Sequence, residues 1–125
     1  IWGTCAGAIL LSKDAHRSQP ILGLMDITVE RNAYGRQINS FETDLVFPAL
    51  ESVSQNGTRF HGIFIRAPLI NSVSGDAVIL AQLPDHRIVA AQQGHLLATA
   101  FHPELTEDDR VHRYFLTLTQ SAQTR

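Results

Sequence analysis

Hydrophobic residues recur along this chain in short blocks, and the spacing inside each block predicts the element it forms. Ala6 to Lys13 brings Ala8, Ile9, Leu10 and Leu11 together on an almost wholly apolar surface, the pattern of a short buried helix. Asp14 to Pro20 is polar and stops at a helix-breaking proline, so it reads as a surface loop, and Leu22 to Asp26 follows as a turn-like apolar link. Ile27 to Arg31 is β-branched and alternating, which predicts a strand, and Asn32 to Gln37 is a polar loop with a glycine. Ser40 to Phe47 alternates again, with Phe41, Thr43 and Leu45 on one face and Glu42 and Asp44 on the other. Pro48 to Thr58 has no period and reads as an irregular excursion. Phe60 to Ile65 is a continuous apolar run, predicted to be a fully buried strand that stops at Arg66-Ala67-Pro68. Ala77 to Leu83 and Arg87 to Gln92 form a predicted hairpin across Pro84-Asp85-His86. Leu96 to Phe101 is another buried strand, ending at His102-Pro103-Glu104. Thr106, with Glu107, Asp108 and Asp109 behind it, predicts a capped helix start, and Val111, Tyr114, Phe115 and Leu118 recur at helical spacing beyond it.

This succession predicts one α/β domain over residues 1–125, with three layers (α/β/α) and a mostly parallel sheet. Such sheets gather their chemistry at the carboxyl ends of the strands, and Cys5, Arg66 and His102 all fall at predicted strand ends. The chain opens at Ile1 directly on what reads as the end of a central strand, so the pattern predicts an N-terminal portion contributing further strands.

Composition narrows the classes. Hydrophobic content of 44% and charged content of 18% are globular proportions and argue against disorder. A net charge of -2 with scattered basic residues gives no electrostatic footprint for nucleic acid. No apolar run approaches the ~20 residues of a membrane span, so no membrane partner is expected. A single cysteine cannot form an internal disulfide, which fits a reducing, cytoplasmic compartment. His16, His61, His86, His95 and His112 have no metal-ligand spacing and no cysteine partners, so neither metal nor cofactor is assigned.

The chemistry centres on two short stretches. Gly3-Thr4-Cys5-Ala6-Gly7 puts small residues on both sides of the cysteine, as a nucleophile on a sharp strand-to-helix turn requires. There the sulfur would meet the first free N–H groups of a helix, which favour thiolate. Taken alone, a lone cysteine is more often an inert buried residue. Likewise a lone His-x-Glu is an ordinary surface ion pair worth about 0–1 kcal/mol. Together they read differently. Two residues apart at a strand end, Glu104 can accept the N–H of His102, fix its tautomer and turn its other nitrogen toward Cys5. The expected arrangement is Cys5 as nucleophile, His102 as acid and base, and Glu104 as orienter.

These stretches resemble the class I (triad) glutamine amidotransferases, and more narrowly the glutaminase subunits of pyridoxal 5′-phosphate synthase. The narrower likeness rests on Leu22 to Met25, on Val29 to Gln37 with its Arg-Asn-x-x-Gly-Arg-Gln run, on Ser40-Phe41-Glu42, and on Gly62 to Pro68 with Ile-Arg-Ala-Pro. Pro48 to Thr58 is the loosest part. The resemblance implies a flavodoxin-like glutaminase fold and hydrolysis of L-glutamine through a thioester on Cys5, without a cofactor. It also implies glutamine contacts at Arg31, Ile65 and Arg66, and delivery of ammonia to a synthase partner subunit in a hetero-oligomer. A guanidinium fork suits an α-carboxylate, although for Arg31 a solvated charge at a strand end is an equal reading of the residue itself. The N–H of Ala6 would supply one oxyanion donor. The family's earlier Gly-Gly-Glu-Ser loop, which supplies the other, has no counterpart in these residues. Losing one such donor costs roughly 10²–10³ in rate, so the polypeptide alone is expected to be poorly active and to associate through an open sheet edge. Two other readings stay open at this point: a different thiol hydrolase on a related scaffold, of the DJ-1 or peptidase kind, and an interaction subunit that keeps the fold without the chemistry.

Overall fold

Short β-branched segments punctuated by Gly, Pro and Asp favour strands joined by tight turns, and strands dominate the molecule. The computed structural model describes residues 1–15, 19–30, 40–55 and 57–123. The strands are β1 (Trp2–Thr4), β2 (Ile27–Glu30), β3 (Ser40–Val46), β4 (Arg59–Ile65), β5 (Leu69–Val73), β6 (Val78–Gln82), β7 (Ile88–Gln93) and β8 (Leu96–Thr99). The helices are α1 (Ala6–Leu11) and α2 (Arg110–Gln123), with 3-10 turns at Pro48–Ser52 and Pro103–Leu105. Among the described residues no helix is long and apolar enough to cross a membrane.

The sheet runs in the order β1-β8-β7-β6-β3-β4, and β5 joins β2 to β7 off this path. Among the described residues only one of its ladders is parallel, that of β1 on β8, with Trp2 opposite Leu97 and Thr4 opposite Thr99. The other strand ladders are antiparallel. Within these residues the expectation of a mostly parallel sheet therefore fails, and connection length is the reason. Parallel neighbours need a crossover of about a dozen residues or more, whereas β6, β7 and β8 follow one another through tight turns. The turn after β7 is two residues long, and its Gly94 adopts φ 59, a left-handed conformation that a side chain would resist. What holds is the coarser statement: an α/β fold on a curled, mixed sheet.

Several element boundaries also move. Leu69–Val73 is a strand that the hydrophobic pattern did not predict, because only Ile70 of its five residues is fully buried. Phe60–Ile65 is half-buried rather than fully buried: Phe60, Gly62 and Phe64 face inward while His61 and Ile65 are exposed, as an antiparallel neighbour of β3 with one open face requires. The excursion after β3 contains a 3-10 turn whose Leu50 is completely buried. Thr106 does not open α2. Its hydroxyl instead closes the turn before the helix, and Asp108 accepts the N–H of Arg110 at 3.1 Å to start α2 three residues later than a Thr106 cap would.

The core divides into two clusters. One joins Phe47, Phe60, Phe64, Leu97 and Phe101 to Val111 and Tyr114 of α2. The other joins Ile27, Val29, Ile70 and Ala98 to Ala8, Ile9 and Leu11 of α1. Leu97 and Ala98, adjacent in β8, serve opposite clusters, as the period of two dictates.

Candidate active site

The turn after β1 is built around one steric demand. A Cβ on Gly3 would lie 2.4 Å from the carbonyl oxygen of Gly7, so glycine alone lets the strand and the first turn of α1 approach this closely. Gly7 itself faces open space, so the requirement for small residues on both sides of Cys5 reduces to Gly3. Cys5 sits at the bend with φ 49 and ψ -106, a conformation strained for a residue with a side chain. Its N–H donates to the Thr99 carbonyl at 2.8 Å and its carbonyl accepts from Ala8 at 3.0 Å, so β8 on one side and α1 on the other hold that strain.

Because β1 and β8 are parallel, both carboxyl ends lie at one end of the sheet. Cys5 leaves the first and His102 follows the second by three residues. The Cys5 Sγ is 3.0 Å from His102 Nε2, across 97 residues of sequence. His102 Nδ1 is 2.5 Å from Glu104 Oε1. An ionised carboxylate only accepts, so Nδ1 carries the hydrogen and Nε2 keeps a lone pair facing the sulfur. Pro103 is buried and begins the 3-10 turn that swings Glu104 back under the imidazole. The single thiol proton has a second acceptor, the Ala100 carbonyl at 3.3 Å, a backbone group that no residue pattern could have revealed.

The electrostatics correct one expectation. Burial, and then the negative charge of Glu104, push the Cys5 thiol up to about 11. Both causes favour the thiol over the thiolate. α1 is only six residues long and cannot offset the loss of water around the sulfur. Ionisation therefore has to be coupled to proton transfer onto Nε2.

The remaining candidates fall in three places. Ala6 is exposed at the first position of α1, ahead of the first intrahelical bond, so its N–H points away from the helix's own acceptors. Ile65 ends β4, 44% exposed, and Arg66 follows with φ 47. The carbonyl of Ile63 in β4 accepts the His102 N–H at 2.9 Å, which sets this strand end beside the base. Arg66 has no hydrogen bond or ion pair among the described residues. Arg31 lies outside the described residues.

A thiol, an imidazole and a carboxylate are thus aligned in that order, a geometry suited to a cysteine nucleophile, and the fold that carries it recurs in solved glutamine amidotransferases. The crystal structure of one glutamine amidotransferase matches with a TM-score of 0.84 at 49% identity, covering 94% of this chain and 59% of that one. A glutamine amidotransferase from Thermotoga maritima, 12% identical, shares the fold with a TM-score of 0.56 over 98% of this chain and 48% of its own. The sequence profile of the SNO glutamine amidotransferase family matches residues 1–121, and the chain belongs to that family. Among curated relatives, the pyridoxal 5′-phosphate synthase subunit PdxT of Herpetosiphon aurantiacus is 57% identical over 122 residues, covering 94% of this chain and 62% of that protein. The subunit of the same name from Caldanaerobacter subterraneus subsp. tengcongensis is 56% identical over 119 residues, 94% of this chain and 60% of that protein. The chain thus spans about three-fifths of the length of the curated relatives it matches.

Proposed function

We propose that residues 1–125 are the C-terminal portion of a class I glutamine amidotransferase domain whose complete form hydrolyses L-glutamine to L-glutamate and ammonia. The relay from Cys5 Sγ to His102 Nε2 at 3.0 Å, and from Nδ1 to Glu104 at 2.5 Å, is the observation that carries this reading. Cys5 attacks the side-chain amide carbon as its proton passes to Nε2, and Glu104 stabilises the imidazolium that forms. The oxyanion is held by the Ala6 N–H and by a second donor from the family's Gly-Gly-Glu-Ser loop. His102 then protonates the departing nitrogen, which leaves as ammonia, and a γ-glutamyl thioester stays on Cys5. In the second half, His102 takes a proton from water, the hydroxide adds to the thioester, and glutamate leaves as the sulfur recovers its proton. Arg31 and Arg66 bind the glutamine α-carboxylate, and Ile65 lines the approach.

The name carried by the relatives supports a pyridoxal 5′-phosphate synthase subunit as the recipient of the ammonia. Free ammonia is wasted, so glutaminase turnover depends on docking to that partner. In the complete protein, β1 becomes an inner strand of a three-layer, flavodoxin-like domain with more parallel strands than these residues contain. A working site needs a free thiol, which a reducing cytoplasm preserves.

The test is a glutamine-analogue electrophile, 6-diazo-5-oxo-norleucine, applied to the complete protein with its synthase partner and followed by peptide mass spectrometry. A single adduct on Cys5, blocked by glutamine, is expected. An unlabelled Cys5 in an intact protein would replace this reading with another thiol hydrolase chemistry, and turnover indifferent to the synthase would remove the coupling.

A further inference from the structure

We propose that Thr99, with Trp2, is a positioning residue that fixes the separation of nucleophile and base, an inference that rests on the amidotransferase reading of the site. Thr99 is completely buried, and both its hydroxyl and its carbonyl are hydrogen-bonded. Its carbonyl holds the Cys5 N–H at 2.8 Å. Its hydroxyl accepts the indole N–H of Trp2 at 3.1 Å and lies 3.4 Å from the Phe101 carbonyl, to which it donates. That carbonyl belongs to the peptide that leads directly into His102. Through its hydroxyl and its carbonyl together, Thr99 therefore ties β8 to the Trp2 side chain of β1, to the Cys5 backbone just after β1, and to the peptide that presents the base.

The arrangement has a reason beyond filling space. A three-residue strand such as β1 offers little ladder of its own to fix its register. Trp2 supplies the missing constraint, because its ring packs edge-on against His112 at 5.0 Å and against Phe115 at 5.5 Å, tying β1 to α2. A buried hydroxyl replaced by a methyl leaves the indole N–H and the Phe101 carbonyl short of partners, and both then seek new ones. The shift that follows moves Cys5 and His102 relative to each other, although Thr99 is itself no part of the relay.

Thr99→Val, which keeps the shape and removes the hydroxyl, tests this against Thr99→Ser, which keeps the hydroxyl. Misplacement on the ångström scale costs up to about 10²-fold, so Thr99→Val is expected to lower kcat for glutamine roughly 10- to 100-fold in the complete protein with its synthase partner. KM is expected to stay within about twofold, because the glutamine rim lies on β4. Thr99→Ser is expected to restore most of kcat. The second readout is alkylation of Cys5 by iodoacetamide across pH, which needs no glutamine turnover. Near neutrality the valine variant should react more slowly than the parent, because base assistance from His102 is lost, and the two should converge as pH nears 11. General loosening would instead expose Cys5 and speed alkylation. Trp2→Phe keeps the ring packing and removes the same hydrogen bond, so it serves if Thr99→Val fails to fold, with a smaller change in the same direction. Equal activity of the valine variant and the parent, or equal losses in the valine and serine variants, would overturn the proposal. A parent protein inert toward glutamine, whose alkylation still responds to Thr99→Val, would overturn the amidotransferase reading and leave the positioning role standing.

Discussion

The Cys5–His102 corner and the rim beside it are built on opposite terms. At the corner, backbone bonds to β8 and β4 hold Cys5 and His102 before any ligand arrives, and the relay has hydrogen-bonding geometry at rest. At the rim, Ile65 is exposed and Arg66 stands in a left-handed conformation with no hydrogen bond or ion pair among the described residues. The difference follows from what each must do. Reacting atoms lose rate when they wander, so their supports are ladders. On the proposed reading, a guanidinium that binds a ligand's charge does so from a strained strand end at Arg66.

Each side of that contrast can be broken separately. Cys5→Ala removes the nucleophile, and glutaminase activity of the complete protein should fall by roughly 10⁴-fold or more with glutamine binding nearly unchanged. Retained turnover would deny the corner its role. Glu104→Gln should act through the base. Because the Glu104 side chain is 47% exposed, water can take over part of its work, and a loss of roughly 10²-fold in kcat is expected rather than the 10⁴ of a buried orienter. Arg66→Gly should do the reverse, raising the KM for glutamine roughly 10- to 100-fold with a small change in kcat. It also relieves the left-handed backbone, so the melting temperature should hold or rise. A drop in melting temperature would show that Arg66 braces the fold.

The turn itself gives a smaller, purely structural comparison. Gly3→Ala forces a Cβ into the Gly7 carbonyl and should cost about 1–3 kcal/mol, read as a lower melting temperature. Gly7→Ala meets nothing within 4 Å and should leave stability equal or slightly higher. Equal losses at both would mean that the motif is symmetric after all. The smallest effect concerns pH. The folded thiol, raised to about 11 from an ordinary 9.0, favours the folded state fully below pH 9, and that contribution fades as pH climbs toward 11. Alkylation of Cys5 should accordingly keep rising to about pH 11. A plateau by pH 8 would put a standing thiolate at the corner.

The corner was legible in the sequence because its parts are local. Gly-x-Cys-x-Gly and His-Pro-Glu each encode their own turn, and the parallel ladder only has to bring two finished pieces together. The sheet was less legible, since strand direction depends on connections rather than on the hydrophobic pattern, and β5 buries too little to announce itself. Phe60 to Ile65 shows the same limit: a run of apolar residues says that burial is possible, not that both faces receive it. The ionisation of Cys5 is only partly legible for a related reason. The motif displays the helix start beside the sulfur but not the desolvation supplied by chain distant in sequence. Arg66 was legible as a charge at a strand end, while its left-handed backbone and lack of a partner were not.

The ladder of β1 on β8 also has a history in time. It joins strands that lie far apart in sequence, Trp2 to Leu97 and Thr4 to Thr99, and contacts of such separation form late, after the local hairpins have begun to shorten the path. Until β8 arrives, Cys5 has neither its base nor its burial and behaves as a common thiol, weakly nucleophilic and open to oxidation. During synthesis the cysteine leaves the ribosome 97 residues ahead of His102 and waits for it. Any chemistry at this sulfur therefore waits on the β1–β8 ladder, and the reactivity of Cys5 reports the moment when that ladder closes.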